Sequence, residues 1–355
     1  MEILAFNVYL CRKITIFVIK IIKKVMKFLF ACVIFLCLIA GCRESGKPDV
    51  GKWRQERKIL RLDRDLFALD ARAPDVKSIQ HKYGRYFDVY AEGVLQLGQV
   101  SDTTFPHLLS LFLQDTIIRE VYDTVAFRYP ELTVQEKELS DAWAYYSYYF
   151  PDKVVPQVYA HVSGFNQSVV VDSAEVGISL DNYLGDCVFY SMLAVPVPMY
   201  ARKKMTGNDI VRDIMTGWFG AEFLFRPQKN DLISGMIYQG KIVYLLHKVL
   251  PDYEFSRVVG FSPEQLKWCE NNESQIWGFL IENDYLFSTQ QKLIMKYLND
   301  APYTSGMPVE SPGRTVVWTG WRIVDEYMKK SGSTLPALMQ EQDYHKIMRV
   351  AAYRP

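Results

Sequence analysis

Histidine and cysteine are too few and too scattered to build a local metal site. The 355-residue chain has five His and six Cys. His81, His107, His161, His247 and His345 include no pair three or four residues apart, and no Cys-x-x-Cys occurs. A catalytic zinc needs three protein ligands and one open position, and helices usually supply two of them as His-Glu-x-x-His. Here a zinc site would have to be assembled from distant residues, so no metal and no cofactor is expected. The Gly-x-Ser-x-Gly elbow of many hydrolases is missing, as are a phosphate loop and a dinucleotide fingerprint. No internal repeat or low-complexity tract is present. Neither sign of charge dominates, with 41 Lys+Arg against 40 Asp+Glu.

What the chain has is apolar and aromatic material. It is 49% hydrophobic and 14% aromatic, with 23 Tyr, a balance that supports a large core and excludes a disordered chain. The N-terminus stands apart. "MKFLFACVIFLCLIAGC", Met26–Cys42, runs from a lysine through a short apolar stretch to small residues and a cysteine. That is the plan of a secretory signal, and the apolar run Phe28–Ala40 is too short to span a bilayer comfortably. Its end, "IAGC", resembles the lipobox of bacterial lipoproteins, which implies cleavage before Cys42 and acylation of its thiol. Residues 1–41 are therefore expected to be a signal peptide. An uncleaved anchor helix extended by Ile14–Ile22 is the alternative, interrupted by Lys20, Lys23, Lys24 and Lys27; Met26 is a second candidate start.

Cleavage would remove six of the basic residues and one acidic residue, leaving 35 against 39 and a net charge of −4. Nucleic-acid partners usually leave a basic footprint, so none is expected. Membrane attachment would come from lipid on Cys42, with the domain facing the periplasm. Beyond Cys42 only Cys187 and Cys269 remain. They could pair in an oxidising compartment or sit apart as small buried apolar residues.

Residues 42–58 read as the lipidated cysteine and a polar tether, and 59–355 as one globular domain. Helical patterns cover about Asp75–Leu97, Thr104–Phe127, Thr133–Pro151, Gly207–Phe225, Leu232–Leu250, Ser262–Glu282, Thr289–Asn299, Gly320–Ser331 and Leu335–Glu341. Thr133 and Glu136 have capping-box spacing. Gln157–Leu184 is β-branched and aromatic with turn signals, and reads as an antiparallel meander. Within it, "SGFN" at Ser163–Asn166 reads as a turn eased by Gly164 and Asn166, and Asp181 and Asp186 as solvated loop acids. The expected class is α+β, predominantly α-helical, with a small antiparallel sheet packed on helices.

Two helical segments raise a further possibility. "DIVRDIMTGWFGAEF", Asp209–Phe223, followed by "DLISGMIYQGKIVYLLHKVLP", Asp231–Pro251, resembles the two-helix core of a family of predicted zinc peptidases. That resemblance implies a zincin-like core lacking its metal site. Arg212 stands at the first His, Asp213 at the Glu, Thr216 at the second His and Gln239 at the third ligand. Arginine repels a cation, and Thr and Gln are poor zinc ligands. Two ordinary packed helices without that ancestry are the alternative.

A wider set, from the lipobox through "RLDRDLF" (Arg61–Phe67), "YYFPDKVVPQVYAHVSGFN" (Tyr148–Asn166), "GISLDNYLG" (Gly177–Gly185), "WCENNESQIWGFLIENDYLFST" (Trp268–Thr289) and "SPGRTVVWTGWRIVDEYM" (Ser311–Met328), resembles the gliding-motility lipoprotein GldB family of Bacteroidota. It implies a lipid-anchored envelope protein associated with gliding motility and its secretion machinery. A metallopeptidase-like pseudoenzyme acting as a non-catalytic binding or scaffold component is expected, with envelope proteins as partners. A hydrolase or peptidase without zinc, or a ligand-binding lipoprotein, are the alternatives. Arg314, Trp318 and Trp321 are the candidate binding residues, since Arg and Trp anchor many interfaces. They would flank a groove that holds a peptide along the meander's edge. The alternative is that both tryptophans are core and Arg314 pairs with an internal carboxylate.

Overall fold

Strand pairing in this protein departs from the expected meander. A computed structural model describes residues 47–355, so the predicted signal peptide, Cys42 and residues 43–46 of the tether lie outside the described residues. The sheet has four strands, β1 (Ile59–Arg61), β2 (Gln157–His161), β3 (Val169–Asp172) and β4 (Glu175–Ser179), in the order β1-β2-β4-β3. β1 and β4 both run parallel to β2, and only the β3–β4 pair is antiparallel. The reason is local. Ser173 and Ala174 alone join β3 to β4, with Ser173 at φ 50°, and so tight a link forces a hairpin. The longer loop 162–168 carries the chain past the neighbouring position, so β4 returns between β2 and β3. The sheet is mixed, not antiparallel, and its edges are β1 and β3.

Helices surround it. Before β2 come α1 (Leu62–Phe67), α2 (Val76–Tyr83), α3 (Arg85–Val89), α4 (Phe105–Gln114), α5 (Thr116–Arg128) and α6 (Thr133–Tyr149). The expected helix over Asp75–Leu97 is broken at Gly84, φ 55°, and ends in a π-turn at Tyr90–Val94. The helix expected over Thr104–Phe127 is split at Asp115, whose extended backbone and side chain cap the Ile118 amide of α5 at 2.9 Å. Thr133 and Glu136 form no capping box. Glu136 instead accepts from the Ile59 amide at 3.1 Å and from Lys58 at 3.0 Å, because β1 needs a partner on its outer edge.

After β4 follow α7 (Phe189–Met192), α8 (Met199–Arg202), α9 (Ile210–Glu222), α10 (Leu232–Val249), α11 (Phe255–Val259), α12 (Pro263–Asn271), α13 (Glu273–Glu282), α14 (Gln291–Leu298), α15 (Thr315–Ser331), α16 (Leu335–Gln340) and α17 (Tyr344–Ala351). Ser262 and Gln265 complete a capping box at the start of α12, but the chain breaks again at Asn272. The result is a predominantly helical α+β fold in which residues 50–355 form one compact unit. No helix among the described residues is long and apolar enough to cross a membrane.

α10 is the central helix, buried along most of its length. It crosses α15 with backbone against backbone: a Cβ added to Gly240 would stand 2.5 Å from Trp321 N, and nearer still to the Gly320 carbonyl. Only glycine on both helices permits that approach. Immediately after Gly240, the buried Lys241 donates to the carbonyls of Met339 at 3.2 Å and Glu341 at 2.7 Å, ending α16. A polar network lies under the sheet. His161 Nδ1 is 2.6 Å from Tyr86 Oη, and its Nε2 is 2.6 Å from Ser179 Oγ; burial drives its pKa down to about 3. Asp181, read from sequence as solvated, is fully buried and accepts from the amides of Ser163 at 3.1 Å and Phe165 at 2.7 Å. It fixes the turn, where Gly164 and Phe165, not Asn166, take positive φ. Asp186 points away, 3.4 Å from Arg202.

Cys187 and Cys269 are both free, and burial pushes the Cys269 thiol up to about 12.

Candidate functional site

α9 and α10 are adjacent helices, and their facing sides open onto one cavity of about 260 Å³. Arg212, Asp213 and Thr216 reach it from α9 and Gln239 from α10. Positions singled out by their spacing in two separate segments thus share one wall. Gln239 lies two turns into α10. Arg314 joins them from the N-terminus of α15, where it holds a left-handed backbone at φ 59°. That conformation is uncommon for a residue with a Cβ.

The other two residues of the predicted Arg–Trp cluster go elsewhere. Trp318 is 1% exposed and belongs to the core, so it cannot anchor a partner on the surface. Trp321 is half-buried and packs its ring 4.1 Å from that of Phe255. Arg314 is the left-handed N-cap and lies outside the helix, so it stays at the mouth while Trp318 and Trp321 follow the helix inward.

Within the cavity, charge is paired. Arg212 donates through Nε to Asp213 Oδ1 at 2.8 Å, and its Nη1 lies 2.8 Å from Asp209 Oδ1. Tyr183 donates to the other Asp213 oxygen at 2.9 Å. Burial pushes the Asp213 carboxyl up, with Arg212 opposing. Burial also pulls on Arg212, but Asp213 and Asp209 outweigh it and hold its charge. Thr216 Oγ1 is committed to its own helix, donating to the Arg212 carbonyl at 2.7 Å.

Two residues without a motif complete the wall. Lys204, from the turn after α8, donates to Asp300 at 2.9 Å, and burial lowers its pKa. Arg314 Nε is 3.3 Å from the same carboxylate but has no aligned hydrogen bond, while its Nη2 donates to the Val259 carbonyl at 3.2 Å. Lys204 and Asp300 sit almost a hundred positions apart and carry no periodic signal, so spacing could not have found them.

This donor set does not suit zinc: Arg212 brings a guanidinium to the wall, the Thr216 hydroxyl is engaged, and Gln239 is neutral. Among the described residues, no group of three or more His, Cys, Asp or Glu is placed to hold a metal. Asp213, the acid that α9 brings to the cavity, has both of its oxygens occupied.

Together the fold and cavity define a mostly helical domain built around a charged recess between α9, α10 and α15. The chain belongs to the gliding motility protein GldB family, whose family model matches residues 43–355. No curated protein and no solved structure matches it.

Proposed function

We propose that this chain is a lipid-anchored envelope protein, held to the membrane through Cys42 and facing the periplasm. It would act as a non-catalytic binding component of gliding motility and its secretion machinery, with envelope proteins as partners. Family membership supports the association with gliding. The observation that carries the non-catalytic role is the state of the Arg212–Asp213 pair. A general base must be free to reach the proton it removes, whereas Asp213 is held by Arg212 on one oxygen and Tyr183 on the other. Polar and charged groups converge on the recess, which favours a polar guest over the apolar ligand of a typical ligand-carrying lipoprotein.

The test uses the chain from residue 43 onward, incubated with peptide mixtures and cell-wall fragments, with products followed by mass spectrometry. No cleavage and well under one zinc per chain by elemental analysis are expected. Cleavage that disappears in Asp213→Asn, or stoichiometric zinc surviving dialysis, would overturn the binding role.

A further inference from the structure

We infer that the loop Cys187–Ala201 dips into the lipid surface and gives the protein a second hold on its membrane. The inference deepens the proposed anchoring through Cys42 and rests on it for where the bilayer lies.

The loop is apolar where it meets water. Fifteen consecutive residues between Asp186 and Arg202 carry no charge. Val188 is 65% exposed, Met192 64%, Val195 82% and Met199 53%. Single exposed apolar side chains are ordinary, but a run of them marks an interaction surface. The segment is not slack. Tyr190 is fully buried, and its hydroxyl donates to the Asp181 carbonyl at 2.9 Å and accepts from the Leu184 amide at 3.1 Å. Phe189 packs on Phe165, with ring centroids 6.2 Å apart. The base is thus fixed while Val and Met side chains are held out in water.

The tip has a backbone that can leave water. Pro196 and Pro198 have no N–H. Val197 between them donates its amide to the Tyr190 carbonyl at 2.9 Å, and its carbonyl accepts from Arg202 Nε at 2.7 Å. Hydrocarbon cannot satisfy bare peptide groups, and residues 196–198 present no bare N–H. Asp186, the carboxylate that opens the loop, is paired with Arg202 at 3.4 Å. A protein partner fits less well. Interface anchors are enriched in Trp, Tyr and Arg, whereas the exposed side chains of this run are Val, Met, Ala, Pro and Ser. Such side chains suit a non-directional apolar medium, in which binding scales with the apolar area buried.

The tether is long enough. Met205 closes the loop by accepting from the Gly185 amide at 2.8 Å, and two residues on the Gly207 carbonyl accepts from Gln135 near the start of α6 at 3.2 Å. The leading segment meets the other end of α6, where Trp53 and Ser147 line one cavity. Gln135 and Ser147 lie about 18 Å apart along the helix at about 1.5 Å per residue. The stretch from Cys42 to Val50 can extend to about 28 Å, more than that separation.

The test is flotation of the chain from residue 43 onward with phosphatidylcholine vesicles. This chain lacks the acylated cysteine, and the neutral lipid isolates the apolar contribution. Wild type should float at millimolar lipid. Val195→Asp and Met192→Asp should each weaken binding at least about 10-fold, since each removes an apolar side chain from the lipid and puts a charge in its place. Ile281→Asp, at a 50% exposed site on α13, should bind as wild type does. All three sites are exposed, so melting temperatures should match wild type, and two loop variants guard against one misfolding. No flotation overturns the inference. So does flotation that survives in both loop variants, or that Ile281→Asp loses equally. A dimer seen by light scattering and dissolved by Val195→Asp, without flotation, would give the loop to a second copy of the chain and overturn it too. Acylation is not read here: failed flotation would leave the lipid anchor standing, and failed acylation of Cys42 would leave the loop's own affinity standing.

Discussion

Replacing Gly240 by alanine should destabilise the protein, although alanine is the better helix former. Gly240 lies in the middle of α10, where the Gly→Ala change alone would stabilise by about 1 kcal/mol. The crossing with α15 reverses the sign. An added Cβ would stand 2.5 Å from Trp321 N; carbon contacts need about 3.5 Å or more, so the two helices must part by about 1 Å. Overpacking of this kind costs about 1–3 kcal/mol, and more where backbone rather than a flexible side chain has to yield. The net expectation is a loss of about 2 kcal/mol, or a fall in melting temperature of about 3 °C for a domain of this size. Gly278→Ala is the internal control. It lies on α13 with only Glu282 Oε1 nearby, at 4.0 Å, and should be neutral or stabilising. Urea and thermal unfolding followed by circular dichroism give both numbers on the chain from residue 43. A Gly240→Ala protein as stable as wild type would refute backbone contact between α10 and α15. Because Gln239 and Val317 line the cavity on either side of this crossing, the variant should also weaken any ligand that the recess holds.

Three further outcomes follow from the sequence and from the buried groups. Cys42→Ala should abolish incorporation of radiolabelled fatty acid and leave the precursor uncut at that position; continued acylation would refute the anchor. His161, held by burial near a pKa of about 3 against an ordinary 6.5, contributes stability that is present above pH 6.5 and lost as pH falls toward the folded value, at most about 1.4 kcal/mol per pH unit. Unfolding near pH 5 should therefore take up about one proton fewer in His161→Gln than in wild type; equal uptake would show that His161 is charged in the fold. Lys241, lowered by burial to about 8 from 10.5, works on the alkaline side. Its charged form is disfavoured in the fold, so wild type should gain on Lys241→Met by roughly 1 kcal/mol per pH unit as pH rises between those values, and parallel stability curves would refute it.

Long amphipathic runs made most of the helical layer legible. α6, α10 and α15 are each seventeen or eighteen residues long, and a run of that length free of Pro and turn signals reads as a helix. Breaks inside apparent helices were hidden, because Asp115 and Asn272 fit a helical pattern as well as a cap, and the geometry that decides between them is tertiary. β2, β3 and β4 fell within the expected Gln157–Leu184, but β1 was not foreseen and the pairing in space was missed. Periodicity shows which face is buried and is silent on which strand lies beside which, so the parallel neighbours of β2 went unseen. The recess was half legible. Arg212, Asp213, Thr216 and Gln239 were singled out by the resemblance to a two-helix peptidase core, and Arg314 by composition. Lys204, Asp300 and Gly260 were missed because three loops bring them together. Trp318 was misplaced for a simpler reason: a tryptophan is equally at home in a core and at an interface, and only its neighbours distinguish the two.

Where the chain enters the globule has a mechanical consequence. Val50 is buried, the Arg57 amide donates to Ser140 Oγ at 2.9 Å, and the Ile59 amide to Glu136 at 3.1 Å. Then come the three residues of β1 laid beside β2. A pull transmitted through the tether would meet these attachments one after another, all of them on α6 or at the sheet's outer edge. The recess between α9, α10 and α15 lies off that load path. Tension on the leading segment would load α6 and the sheet's outer edge before it reached the cavity wall.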